Sequence, residues 1–301
     1  MATALWRWTD WGVVSRAGRT LAEQPGPLAA ALAAYTLAFV LRAAAWGPLL
    51  PVPVSLGRRF RAILAMLAVN HALPGPVGEV ARAKLVAAPA GHEPEDDQNS
   101  FRQALASVAA ARVVDAGAIA VLAMAAASLA GEAPAWLRLA APLAVVLPFG
   151  AWAVARRRGA SFTARQAAEV AAWAVPSWAL ELGVMLVVAR AAGVELSPAA
   201  ALLATCGGVL AQVAAVLPGG VGTYEAGVSS VLVPLGVPLG EAVGVAATAH
   251  AVKFAFAFVA GALALAGTSP GIAGNSVRTS PPAGGGLLHN ERPRAVADVR
   301  P

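Results

Sequence analysis

The sequence predicts an all-α fold: a polytopic membrane helical bundle with two re-entrant broken-helix hairpins in an inverted repeat. Three observations predict it. Hydrophobic residues make up 58% of the 301 residues and charged ones only 13%, where a soluble domain carries roughly a quarter charged. The apolar residues fall in runs of spanning length, about 20 residues each. Two of those runs are broken midway by the same Pro-Gly motif. So few charges cannot clothe a water-facing surface, which excludes a soluble enzyme, a secreted disulfide scaffold and a disordered chain.

Taken in order, residues 1–27 carry Trp6, Trp8 and Trp11 among Arg7, Asp10, Arg16 and Arg19. They are too charged to span, and Trp beside Arg suits an interfacial helix. No uninterrupted apolar h-region marks a cleavable signal peptide; the segment is either interfacial or a truncated first helix. A membrane domain follows over 28–267, with whole spans at 28–49, 104–130, 137–155, 166–191 and 240–267. Between them lie two broken regions, 60–88 around Leu73-Pro74-Gly75-Pro76-Val77-Gly78 and 198–236 around Leu217-Pro218-Gly219-Gly220-Val221-Gly222. Each half is short for a span and suits a re-entrant half-helix. Residues 89–100, with Glu93, Glu95, Asp96 and Asp97, read as a solvated acidic connector. Residues 268–301, rich in Gly, Pro and Ser, read as a disordered cytoplasmic tail.

The two breaks share L-P-G-x-V-G at a constant offset of 144 residues, which predicts an internal duplication of 28–130 as 166–267. Charge orients the copies. The net charge of +6 rests on 20 Arg and 2 Lys, and basic loops face the cytoplasm. Arg58, Arg59, Arg61 and Arg102 flank the first hairpin, Arg156, Arg157, Arg158 and Arg165 precede 166–191, and Arg278, Arg292, Arg294 and Arg300 fill the tail. Those groups are placed inside, and the loops near 131–138 and 191–197 outside. The odd linking span 137–155 then inverts the second copy, an arrangement that secondary transporters use.

The candidate substrate-binding residues gather at the breaks. Pro74, Gly75 and Gly78 shape the first tip, and Pro218, Gly219, Gly220 and Gly222 the second. The N–H groups near Val77–Glu79 and Val221–Thr223 would be free at mid-membrane, beside positive helix-dipole ends that attract phosphate or carboxylate. Asn70 and Gln212 stand ready to hydrogen-bond freed backbone groups. Glu79 and Arg82 share a helix face, as do Arg112 and Asp115; charges inside a membrane are paired or line a pathway, and Arg112–Asp115 fits a structural lock as well as a site. Glu225 follows the second tip, and His250 shares a face with Lys253, which admits a cationic subsite or a packing histidine. Glu181 lies within 166–191. Cys206 is the single cysteine, so no intrachain disulfide forms. The four histidines offer no metal spacing, and no Walker A, H-E-x-x-H or G-x-S-x-G motif occurs. No cofactor or nucleic-acid partner is expected.

Asn70-His71-Ala72-Leu73-Pro74-Gly75-Pro76-Val77-Gly78-Glu79-Val80-Ala81-Arg82-Ala83 resembles the N-x-x-L-P-G-R-x-G-E-x-x-R-A signature of the lysylphosphatidylglycerol synthase transmembrane region family, a flippase-like domain. Pro218 to Ala226 resembles its P-G-G-x-G-x-x-E-A signature. Arg42 to Trp46 with Leu49-Leu50 is similar to R-x-x-x-W-x-x-L-L, and Arg112 to Asp115 to E-R-x-x-D. The resemblance covers about 28–267. Pro76, Ala111 and Tyr224 replace the usual Arg, Glu and often basic residue, which weighs against a lysyl-bearing lipid. In two-domain relatives a soluble aminoacyl-transferase follows; residues 268–301 are too few to form one.

The resemblance implies a lipid transporter or flippase of the inner or plasma membrane, not an enzyme. It would move a phospholipid or polyprenyl-linked substrate between leaflets, with the head group held at the two tips. A membrane enzyme modifying a lipid head group, or a non-transporting subunit recruiting a separate soluble synthase, stays open, as does homo-oligomerisation.

Overall fold

Helices account for the regular structure of the described residues. The computed structural model describes residues 7–87, 94–130, 163–212 and 217–266, and no strand occurs among them. The expected span 137–155 and tail 268–301 lie outside the described residues. In chain order the helices are α1 (Trp11–Glu23), α2 (Pro25–Trp46), α3 (Leu56–Ala72), α4 (Val77–Val86), α5 (Pro94–Leu129), α6 (Ala164–Ala179), α7 (Leu182–Ala192), α8 (Pro198–Ala211), α9 (Thr223–Leu232) and α10 (Leu239–Ala266).

Four stretches are long and apolar enough to cross a membrane: Pro25–Leu49, Gln98–Leu129, Arg165–Ala192 and Leu239–Ala266. They fall on the spans expected at 28–49, 104–130, 166–191 and 240–267. Two local expectations change. Residues 94–100 of the expected connector are the first turns of α5; proline suits a first helical position, where its missing N–H has no partner to lose. The stretch 166–191 is two helices. Between α6 and α7 the four-residue ladder gives way to tighter bonds, from the Glu181 N–H to Trp178 O and from the Gly183 N–H to Leu180 O, both 3.3 Å.

α1 begins at Asp10, whose carboxylate accepts the N–H groups of Gly12 and Val13 at 2.8 and 3.2 Å, an N-cap. Its 13 residues rise about 20 Å, short of the roughly 30 Å hydrocarbon layer. Val13 and Ala17 are buried where α1 packs on α7 and α10. Arg16 donates to Ala192 O at 2.9 Å and so satisfies a carbonyl at the end of α7. Trp8 and Trp11 stay exposed.

Each Pro-Gly region is a helix pair. α3 packs on α4 and α8 on α9, while α3 also packs on α10, and α8 on α5. The Pro218–Gly220 turn rests against α3, so the two broken regions meet. Small residues let α8 and α9 approach: a Cβ on Gly207 would lie 2.9 Å from the Gly227 carbonyl oxygen. Phe258, Val259, Leu263 and Leu265 project outward from α10, an apolar face that suits lipid rather than water. Gly227→Ala is expected to lose about 1–3 kcal/mol through overpacking, read as a lower melting temperature of the purified protein in detergent.

Candidate functional site

A cavity of about 670 Å³ opens among α2, α3, α5, α6 and α10, with both Pro-Gly turns in its wall. Buried charges cost several kcal/mol each unless they are paired, so the ion pairs define its architecture. Glu181, 3% exposed, is brought inward at the α6–α7 break. It pairs with Arg42 of α2 and accepts a hydrogen bond from Lys253 Nζ of α10 at 2.7 Å. Aromatic rings surround the surplus positive charge: the Arg42 guanidinium lies 3.6 Å from a Trp178 ring centroid, and Lys253 Nζ is 5.5 and 5.3 Å from those of Tyr35 and Tyr224. Such cation–π contacts strengthen when water is excluded.

A second carboxylate bridges two cations at the first tip. Glu79 accepts from Arg112 Nε at 2.7 Å and faces Arg82 at 3.7 Å. The Arg82 guanidinium lies 3.8 Å from the Trp46 ring centroid, and Trp46 Nε1–H donates to Ser107 Oγ at 3.0 Å. The face shared by Glu79 and Arg82 is thus a real contact. Arg112 and Asp115 are not the pair their spacing predicts. Arg112 reaches across to α4, where its fork finds Glu79, and Asp115 accepts from Trp178 Nε1 at 3.0 Å. The inter-helix partner wins because the Arg112 guanidinium can place both Nε and an Nη group on one Glu79 oxygen, a charge-assisted contact.

The tips are partly self-satisfied, which corrects the expectation of free N–H groups. Gly78 N–H donates to Asn70 Oδ1 at 2.9 Å, and Gly222 N–H to Glu225 Oε2 at 2.6 Å. Gln212 Nε2 donates to Gly219 O at 2.8 Å, the role expected of it. Gly219, at φ +64°, also needs its lack of a Cβ, since one would strike the Phe254 ring. His250 Nδ1 lies 2.7 Å from Glu225 Oε1, and its Nε2 lies 3.0 Å from Gly219 O. His250 and Lys253 therefore answer to different carboxylates and do not form one cationic subsite.

Of the expected residues, Asn70, Gly75, Glu79, Arg82, Arg112, Asp115, Gly219, Gly220, His250 and Lys253 border the cavity, whereas Pro74, Gly78, Pro218, Gly222 and Glu225 do not. Arg42, Glu181, Tyr35 and Trp178 also border it and were missing from the sequence-derived set. A charge inside an apolar span was the signal for Arg42 and Glu181. Nothing in the sequence singled out the two aromatics. No cluster of metal-binding side chains occurs among the described residues. Replacing Glu181 by Gln leaves Arg42 and Lys253 without a counter-charge and is expected to cost about 3–5 kcal/mol. Adding Lys253→Met should recover part of that loss, measured as a double-mutant cycle of unfolding in mixed micelles.

A sequence model of the family described as lysylphosphatidylglycerol synthase TM region matches residues 1–169 and 152–261. No curated protein and no solved structure matches. The two overlapping stretches take in α1 to α9, most of α10 and both Pro-Gly turns, so the chain belongs to the lysylphosphatidylglycerol synthase TM region family.

Proposed function

We propose that this membrane protein moves a lipid, a phospholipid or a polyprenyl-linked one, between leaflets, and that the head group occupies the cavity between the two Pro-Gly turns. One observation carries the reading: a cavity lined by Arg42, Arg82, Arg112 and Lys253, each beside a carboxylate or an aromatic ring, among helices apolar enough to cross a membrane. Charges held in so apolar a bundle point to a polar cargo. The proposed step makes and breaks no covalent bond.

The re-entrant, inverted reading is part of the same proposal. α4 and α9 have 10 residues each and rise about 15 Å, half the hydrocarbon thickness. The packing supports a duplication, because each hairpin's first helix leans on the long helix of the other unit, α3 on α10 and α8 on α5. With Arg-rich segments inside, the C-terminus faces the cytoplasm of a bacterial-type inner membrane. A reporter fused after residue 301 that is active only in the cytoplasm should be active; activity of a periplasm-dependent reporter there would reverse the topology.

Purified protein in liposomes should carry fluorescent phospholipid analogues across the bilayer. Glu79→Ala, Arg82→Ala and Glu225→Ala should each slow translocation by about tenfold or more while the protein elutes as the same species on gel filtration. Unchanged rates in all three variants would overturn the site, and a chemically altered lipid in place of a translocated one would overturn the transport reading.

A further inference from the structure

His250 faces two acceptors, a carboxylate and a backbone carbonyl. Its Nε2 is 3.0 Å from Gly219 O. A carbonyl only accepts, so this contact is a hydrogen bond only when Nε2 carries a hydrogen. Its Nδ1 is 2.7 Å from Glu225 Oε1, a contact that needs a hydrogen on one of the two atoms. Glu225 Oε2 is already an acceptor from Gly222 N–H at 2.6 Å. Neutral imidazole supplies one N–H and carboxylate supplies none. With both contacts made as hydrogen bonds, the pair holds one proton more than neutral histidine plus carboxylate, shared between Nδ1 and Oε1.

Removing that proton forces a choice. The ring's single hydrogen must serve either Glu225 or Gly219 O. Glu225 is the stronger acceptor, being charged, so the hydrogen moves to Nδ1 and the bare Nε2 lone pair then faces the Gly219 carbonyl. Gln212 Nε2, 3.4 Å from His250 Nε2 and now donating to Gly219 O, is placed to turn a hydrogen toward it. Either way the Gly219 carbonyl loses a donor. The ring is held between Tyr224, tilted by 34° with centroids 4.4 Å apart, and Phe254, which meets it edge-on at 4.8 Å. What gives is the turn.

We propose that Glu225 and His250 form a proton-binding site bordering the cavity, whose occupancy latches the Leu217–Gly222 turn to α10. The proton is then the coupling ion of the transport reading, on which this use of it rests. Other groups facing His250 are accounted for. His71 of α3 has its ring 6.4 Å away and its Nδ1 on Leu67 O at 2.7 Å. Tyr224 and Gln212 are neutral partners from α9 and from the end of α8. Lys253, one turn along α10, is paired with Glu181, which it shares with Arg42, so that cluster stays positive. Proton exchange can run through the cavity, because His250 lies in its wall.

Hydrogen–deuterium exchange of the full-length protein in detergent reads the latch without lipid movement. After correction for intrinsic exchange, protection of the 217–222 amides should fall about tenfold or more between about pH 5 and pH 9 in the wild type. Glu225→Gln should hold the low-pH protection throughout. Its amide oxygen can take the Gly222 N–H while its amide N–H donates to Nδ1, which fixes the remaining hydrogen on Nε2. His250→Asn should be poorly protected at both ends of the range. Wild-type protection that does not change with pH would overturn the proposal, whatever the variants do, and so would a Glu225→Gln protein that keeps the wild-type pH response. Neither result bears on the liposome assay, so a failed latch and a failed transport reading remain distinguishable.

Discussion

A carboxylate withdrawn from water inside an apolar bundle needs a partner for its charge, and Glu181 draws two from separate helices. Arg42 comes from α2 and Lys253 from α10, while Glu181 itself sits where α6 hands over to α7. The pairing ties both long halves of the chain to one point. Lost attraction there is not replaced by water, which is why pairs of this kind fix geometry more than they add stability. The cavity exists because side chains gathered around this ion cluster cannot collapse on it without stripping charge of its partners.

The second cluster repeats the device with different means. Glu79 stands between Arg82 and Arg112, and Trp46 lies under Arg82 as Trp178 lies under Arg42. Each cluster thus combines one carboxylate, two cations and an indole. Each retains a net positive charge at the cavity wall, moderated by Asp115, which Trp178 orients. Each cationic face is thus partly compensated by its own carboxylate rather than being an array of bare charges.

The two Pro-Gly turns share a motif and differ in how they are closed. At the first, the amide of Asn70 caps Gly78, a neutral contact insensitive to pH. At the second, Glu225 caps Gly222 and simultaneously engages His250. One turn is held by a neutral amide, the other by a carboxylate that also meets a histidine. The capping groups lie outside the shared L-P-G-x-V-G motif, Asn70 before the first turn and Glu225 after the second.

The membrane class, the four spans within the described residues and both Pro-Gly turns were legible in the sequence. Apolar run length and backbone-restricted residues act locally, whatever the fold. The roles of Asn70 and Gln212 were also legible, since an amide one turn before a broken helix has nearby backbone groups to satisfy. The pairing of charges was not. Spacing joined Arg112 to Asp115 and grouped His250 with Lys253, because sequence reveals only neighbours on one helix. Tertiary packing gave Arg112 to Glu79, Lys253 to Glu181, Asp115 to Trp178 and His250 to Glu225. Composition determines that every buried charge must find a partner; which partner it finds depends on which helices cross within hydrogen-bond reach, and only the folded chain decides that.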